Sequence, residues 1–145
     1  MAAKIEVGTQ ISPISKKMTQ EFIDKFEACG RKGGGAARVA IDPHSSPEVA
    51  SRIYNLATPI ASGHMQLSFV TEALRRFFGP EIFNHTGMVS LRYPKPLVDG
   101  STATVKGKVI EITTEKTGRR VTVEVWIEDQ RGDKTAIGKG AAIVP

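Results

Sequence analysis

The chain is poor in the residue types that form the disulfides of small secreted domains or bind metal ions. It has 145 residues but a single cysteine, Cys29, which excludes an intrachain disulfide framework and fits a reducing compartment. Its three histidines, His44, His64 and His85, lack the spacing of a zinc site, and no cysteine pair accompanies them. We therefore expect neither a disulfide scaffold nor a bound metal.

Long apolar runs and dense charge blocks are also missing. No apolar segment approaches the length that spans a bilayer, and the first residues do not resemble a secretory signal, so we expect a cytoplasmic protein. The net charge of +5 suits an anionic small ligand, but no Lys/Arg block interleaved with aromatic residues points to nucleic acid. With 40% hydrophobic and 24% charged residues, we expect one globular domain over residues 1–145.

The first half of the chain has the signals of helices. Thr19 is a predicted N-cap of a short amphipathic helix that closes at Gly30, and Ser46 precedes a second short helix. The glycine run Gly33–Gly35 predicts an irregular loop. The strongest pattern predicts a long helix from Ser62 to Phe78 with a wide apolar stripe, which a Gly-Pro pair then ends.

The second half changes from helical to alternating periodicity. Turn residues at 116–118 and 131–133 mark antiparallel hairpins, and there is no βαβ alternation of the kind that builds a doubly wound nucleotide fold. The pattern predicts an α+β domain whose sheet curls around the long helix. The predicted strands are Met88–Tyr93, Ala103–Thr114, Arg120–Asp129 and Lys134–Val144.

In this order and with these residues, the chain resembles the MaoC-like hydratase/dehydratase branch of the hot-dog fold over nearly its whole length. The pieces that carry the resemblance are Pro47-Glu48-x-Ala50 after a histidine, Pro59-Ile60-Ala61-Ser62-Gly63, Ser90-Leu91-Arg92-Tyr93-x-Lys95-Pro96-x-x-x-Gly100, and the final Gly140-x-Ala142-x-Val144-Pro145.

The resemblance implies a long central helix wrapped by a curved antiparallel sheet of about five strands. It also implies hydration of trans-2-enoyl thioesters, or dehydration of (R)-3-hydroxyacyl thioesters, carried on coenzyme A or an acyl carrier protein. No metal or redox cofactor is implied. Members of the family assemble through the sheet as dimers, some of them hetero-oligomers of two MaoC-like subunits.

Two functional positions carry over residue by residue. His44 falls on the family's proton-transferring histidine, and Gly63 falls on the helix-start glycine whose N–H polarises the thioester carbonyl. The family's catalytic acid does not carry over, because Val39 stands five positions before His44. Three readings stay open: Asp42 supplies the acid, the chain is a non-catalytic partner of another subunit, or the fold serves another thioester reaction or binding alone.

The remaining predictions concern neighbouring side chains. His64, beside Gly63 at the predicted helix start, is a second group that can donate a hydrogen bond or accept a proton. Arg75, Arg76 and Lys95 are candidate ligands for the phosphates of coenzyme A, although such residues also form ordinary solvated surfaces. A thioesterase is disfavoured, because Glu72 is the helix's carboxylate and lies far from its start.

Overall fold

The computed structural model of the protein describes residues 4–29 and 44–145. The predictions for Gly30, Gly33–Gly35, Val39 and Asp42 lie outside the described residues. The helices are α1 (Gln20–Ala28), α2 (Pro47–Tyr54), α3 (Gly63–Phe78) and α4 (Pro80–Thr86). The strands are β1 (Ile14–Lys17), β2 (Met88–Arg92), β3 (Thr102–Glu115), β4 (Gly118–Glu128) and β5 (Lys134–Val144).

All five strands form one antiparallel sheet in the order β1-β3-β4-β5-β2. The two predicted hairpins are confirmed, because β3 pairs with β4 and β4 pairs with β5 in antiparallel register. β2 crosses to the far edge and pairs with β5, with Met88 opposite Ala141. Register shifts after Val109 and Ile127 are irregularities of the kind that bend a strand and increase its twist.

The sheet and α3 share the hydrophobic core. Alternate residues of β4 point inward and are buried, namely Val121, Val123, Val125 and Ile127, as the period of two in a half-buried strand requires. On the other side of the core, α3 contacts β2, β3, β4 and β5. The predicted arrangement of a long helix against a five-stranded sheet is therefore confirmed.

The helix boundaries follow local chemistry. The Ser62 side chain caps α3 by accepting a hydrogen bond from the Met65 N–H at 3.2 Å. α3 ends at Gly79, whose φ of 87° lies in the region that favours glycine. Thr19 and Ser46 cap α1 and α2 as predicted. None of the helices within the described ranges combines the length and apolarity that a bilayer crossing needs.

α4 is a helix that the sequence pattern did not predict. Its seven residues are too few for helical propensity alone to hold them in water. Tertiary contacts supply the stability, because the Phe83 ring stacks on Phe78 at a centroid distance of 6.1 Å. Thr86 Oγ1 also accepts a hydrogen bond at 3.0 Å from the Ile143 N–H of β5.

Candidate active site

The start of α3 presents backbone donors that no described residue outside or inside the helix accepts from. The Gln66 N–H donates to the Ser62 carbonyl at 3.2 Å, and the Met65 N–H is taken by the Ser62 side chain. The N–H groups of Gly63 and His64 have no acceptor among the described residues. At a helix start such donors combine with the positive end of the helix dipole, so they can hold a carbonyl oxygen or an oxyanion.

A cleft of about 470 Å³ opens against this helix start. Its wall comes from the segment around His44, the end of α2, the first turn of α3 and the residues after β2. It brings four of the predicted site residues together, while Asp42 lies outside the described residues. The lining residues are His44, Tyr54, Leu56, Ile60, Ala61, Ser62, Gly63, His64, Gln66, Tyr93, Pro94, Lys95 and Pro96.

The half-buried His44 ring is held in one orientation. Its Nδ1 lies 2.8 Å from the Ile60 carbonyl oxygen, which can only accept a hydrogen bond. A neutral imidazole bound in this way carries its proton on Nδ1 and its lone pair on Nε2. The Tyr54 ring lies beside the imidazole at a centroid distance of 6.3 Å. The hydrogen bond to Ile60 thus fixes the orientation of the ring in the cleft.

Gln20 of α1 anchors the backbone of His44, and nothing in the sequence pattern singled it out. Its Nε2 donates to the His44 carbonyl at 2.9 Å and to the Asp24 carboxylate at 2.8 Å. Gln20 and His44 are separated by 24 positions in the chain, so only the fold brings them together. The bond to His44 ties the histidine-bearing segment to α1, and the bond to Asp24 holds the Gln20 amide within that helix.

Tyr93, which follows β2, packs directly on the helix start. Its Oη donates a hydrogen bond to the Gly63 carbonyl at 2.8 Å. A Cβ on residue 63 would lie only 2.9 Å from Cε2 of the Tyr93 ring, so a larger residue at this position would displace the ring. Partial burial raises the pKa of the Tyr93 phenol above its usual range, so the phenol remains a hydrogen-bond donor further into alkaline pH than a free tyrosine.

We expect Tyr93→Phe to reduce the free energy of unfolding by about 0.5 kcal/mol at neutral pH, because it deletes one solvent-exposed hydrogen bond and keeps the ring. The folded-state pKa of Tyr93 is raised, so this stabilisation is present below the ordinary tyrosine pKa and is lost as the pH rises through the raised value. Urea unfolding of both proteins at neutral and at strongly alkaline pH checks this. An equal difference at both pH values would contradict it.

The predicted phosphate ligands are divided between two places. Lys95 lines the cleft with His44, where it also pairs with Asp133 at 2.6 Å. Arg75 and Arg76 line a second cleft of about 670 Å³ along the exposed face of α3. His64 is exposed and lines both clefts, so it lies where they meet.

The charged residues of the second cleft differ in their partners. Arg76 pairs with Glu72 at 2.6 Å, and Glu72 also pairs with Lys16 of β1 at 2.7 Å. The hydrogen bond from Lys16 lowers the pKa of the Glu72 carboxyl, which therefore stays charged. Arg75 has no ion-pair partner in the described part of the chain. No group of three or more His, Cys, Asp or Glu among the described residues could hold a metal ion.

No protein-family model matches the sequence, and no curated protein matches it. Solved structures do match its fold. The (R)-hydratase from A. caviae involved in PHA biosynthesis is 20% identical, with a TM-score of 0.74 over 99% of this chain and 100% of that chain. The MaoC-like dehydratase from Rhodospirillum rubrum is 19% identical, with a TM-score of 0.71 over 97% and 92%.

A third match is the C-terminally truncated HadBC (3R-hydroxyacyl-ACP dehydratase) complex from Mycobacterium tuberculosis. It is 13% identical, with a TM-score of 0.67 over 99% of this chain and 100% of that chain. At sequence identities this low, the structural likeness establishes the fold and nothing more. The hot-dog fold that the sequence predicted is confirmed, with the five-stranded sheet against its long helix.

Proposed function

We propose that this hot-dog chain is a MaoC-like hydro-lyase that hydrates trans-2-enoyl thioesters, or dehydrates (R)-3-hydroxyacyl thioesters, carried on coenzyme A. One observation carries the proposal. The His44 imidazole, held through Nδ1 by the Ile60 carbonyl, lines the same cleft as the N–H groups of Gly63 and His64, which have no acceptor among the described residues. The likeness to an (R)-hydratase and to a 3R-hydroxyacyl-ACP dehydratase supports this class of reaction.

The chemistry needs a base and an oxyanion site, and it balances without a metal or redox cofactor. Nε2 of His44 takes a proton from water as the water oxygen bonds to C3 of the enoyl group. The electron pair of the C2–C3 double bond moves toward the thioester oxygen, where the N–H of Gly63 or His64 stabilises the enolate. The imidazolium, helped by Asp42 or His64, returns a proton to C2 and restores the thioester.

The surrounding residues suit an acyl thioester of coenzyme A. A cleft of about 470 Å³ is within the range of small-molecule sites. Lys95 at this cleft, with Arg75 and Arg76 beyond His64, supplies cations for the phosphates of the carrier. We place the protein in the cytoplasm, where such thioesters are metabolised, and propose a dimer or a hetero-oligomer with a second MaoC-like subunit.

The direct test is an assay of the purified protein with crotonyl-CoA and with longer and aryl-substituted enoyl-CoAs. We expect loss of the enoyl ultraviolet absorbance and formation of the (R)-3-hydroxyacyl product, which chiral chromatography identifies. The assay is repeated in the presence of any second MaoC-like subunit encoded beside this chain. A protein inactive on the whole series, alone and with that subunit, would rule out the hydro-lyase.

A second candidate function is a non-catalytic, acyl-thioester-binding subunit of a hetero-oligomeric hydratase. Val39 favours it, because valine cannot transfer a proton at the position where the family has its acid. Under this alternative, the chain alone is inactive and Val39→Asp creates activity. The alternative fails if Val39→Asp changes nothing while His44→Ala abolishes turnover by the chain's own homo-oligomer.

A further inference from the structure

Gln66, in the first turn of α3, is a polar side chain in an unusual setting. It is only 2% exposed, yet it is one of the residues that line the cleft of His44. A buried carboxamide costs free energy unless hydrogen bonds replace the water that it loses. The hydrogen-bond partners at the two ends of the carboxamide therefore indicate the role of Gln66.

The oxygen end of the carboxamide is engaged within the protein. Gln66 Oε1 accepts a hydrogen bond at 2.9 Å from Oγ1 of Thr135, which is 0% exposed and lies at the start of β5. A planar amide with its oxygen held in this way presents its two N–H donors on the other side. Thr135 thus decides which end of the amide faces the cleft.

The nitrogen end has no acceptor among the described residues. Nε2 is also not one of the side-chain atoms that are sealed from solvent without a partner. It therefore reaches accessible space, and the accessible space beside Gln66 is the cleft. The result is a pre-oriented donor, held by a buried partner, on the wall of the cleft that His44 and the helix start also line.

The geometry of a helix directs this donor further. Side chains on an α-helix lean toward its N-terminus and cover the turn before their own Cα. Residue 66 is one turn after Gly63, so its carboxamide leans over the same helix start that presents the N–H groups of Gly63 and His64. A backbone donor and a side-chain donor are thereby directed to one region of the cleft.

We infer that Gln66 is a catalytic residue of this cleft, whose Nε2–H donates a hydrogen bond to the thioester oxygen of the acyl substrate, beside the backbone N–H of the helix start. This assignment rests on the proposed acyl-thioester function. The donor strengthens its bond as negative charge grows on that oxygen, and no covalent bond to Gln66 forms. Thr135 is the positioning residue that orients the amide.

The test uses Gln66→Met, which keeps the length of the side chain and removes the donor. For crotonyl-CoA hydration we expect kcat to fall by about 100-fold with KM changed far less, because a lost oxyanion donor weakens the transition state more than the ground state. Thr135→Val, which leaves the amide but not its anchor, is expected to lower kcat roughly threefold to tenfold. Gln10→Met, the same change at an exposed position outside the cleft, serves as the control.

A second readout does not depend on turnover. Infrared spectra of bound butyryl-CoA, labelled with ¹³C at the thioester carbon, report how strongly the carbonyl is polarised. We expect the band to shift to lower wavenumber on binding to the natural protein, and to shift less on binding to Gln66→Met. If the methionine variant does not fold, Gln66→Glu keeps an acceptor for Thr135 and removes the amide donors, with the same expected loss.

The hydro-lyase proposal and the assignment of Gln66 can be rejected independently. If the natural protein hydrates none of the enoyl-CoA series, alone or with a second MaoC-like subunit, but its carbonyl shift depends on Gln66, the hydro-lyase is wrong and the assigned hydrogen bond stands. If hydration occurs and the Gln66 variants keep the natural kcat and carbonyl shift, the assignment of Gln66 is overturned while the hydro-lyase stands. If the Gln66 variants lose thermal stability but keep the natural kcat and carbonyl shift, Gln66 is a purely structural residue and the assignment is also overturned.

Discussion

Replacing His44 with alanine is expected to lower kcat for crotonyl-CoA hydration by about 10³-fold, the typical contribution of a positioned general base. The reason lies in the hydrogen bond from Nδ1 to the Ile60 carbonyl, which holds the ring in the cleft and makes Nε2 the atom to which we assign the base. Loss of this ring removes the proton acceptor and leaves the N–H groups of the helix start unchanged. Steady-state kinetics over a range of pH values measure the effect.

His85→Ala is the matched control for this experiment. His85 is an exposed histidine in the last turn of α4 and does not line the cleft, so its loss should leave kcat and KM unchanged. Thermal melting of His44→Ala shows whether the segment still folds without the hydrogen bond to Ile60. A folded His44→Ala protein with the natural kcat would contradict the role of this histidine.

Leu74→Ala is expected to reduce the free energy of unfolding by about 2–5 kcal/mol, the cost of emptying a packed leucine site. Leu74 is 0% exposed and lies on the face of α3 that packs against the sheet. Its removal leaves a cavity between the long helix and the sheet, which close packing on both sides prevents from collapsing. Urea unfolding measured by circular dichroism gives the change.

Gly140→Ala tests the packing of Leu74 against β5. A Cβ at residue 140 of β5 would lie 2.3 Å from Cδ1 of Leu74, so this substitution alone overpacks the core. In the Leu74→Ala background the added methyl enters the space that Leu74 has left. We therefore expect the double variant to lose less stability than the sum of the single variants, by about 1 kcal/mol or more. Strictly additive losses would mean that the two residues do not share a packing site.

Much of the fold could be predicted because its signals are local. Ser62 and the glycine at 79 bound α3 by chemistry that involves only neighbouring residues. The alternation of buried valines in β4 and the turn residues on either side of that strand predict two hairpins in the same way. The residues around His44 and Gly63 also resembled a known family, which led to the correct fold.

The missed features depend on residues that are distant in the sequence. α4 is too short to be stable alone and exists because Phe83 and Thr86 dock on other elements. Gln20 reaches the His44 carbonyl, and Gln66 reaches Thr135, across separations of 24 and 69 positions. No local pattern indicates such hydrogen bonds, because glutamine is common on solvated helix faces.

The sequence alone determined where the long helix begins and ends, which strands form hairpins, and that an imidazole precedes the helix-start glycine. Periodicity and capping act within a few residues, so they can be read along the chain. The tertiary structure alone decided that His44, Gly63, His64 and Lys95 share one cleft while Arg75 and Arg76 line another. It also decided the orientation of the Gln66 amide, because a hydrogen bond across the core selects the end of the carboxamide that faces a ligand.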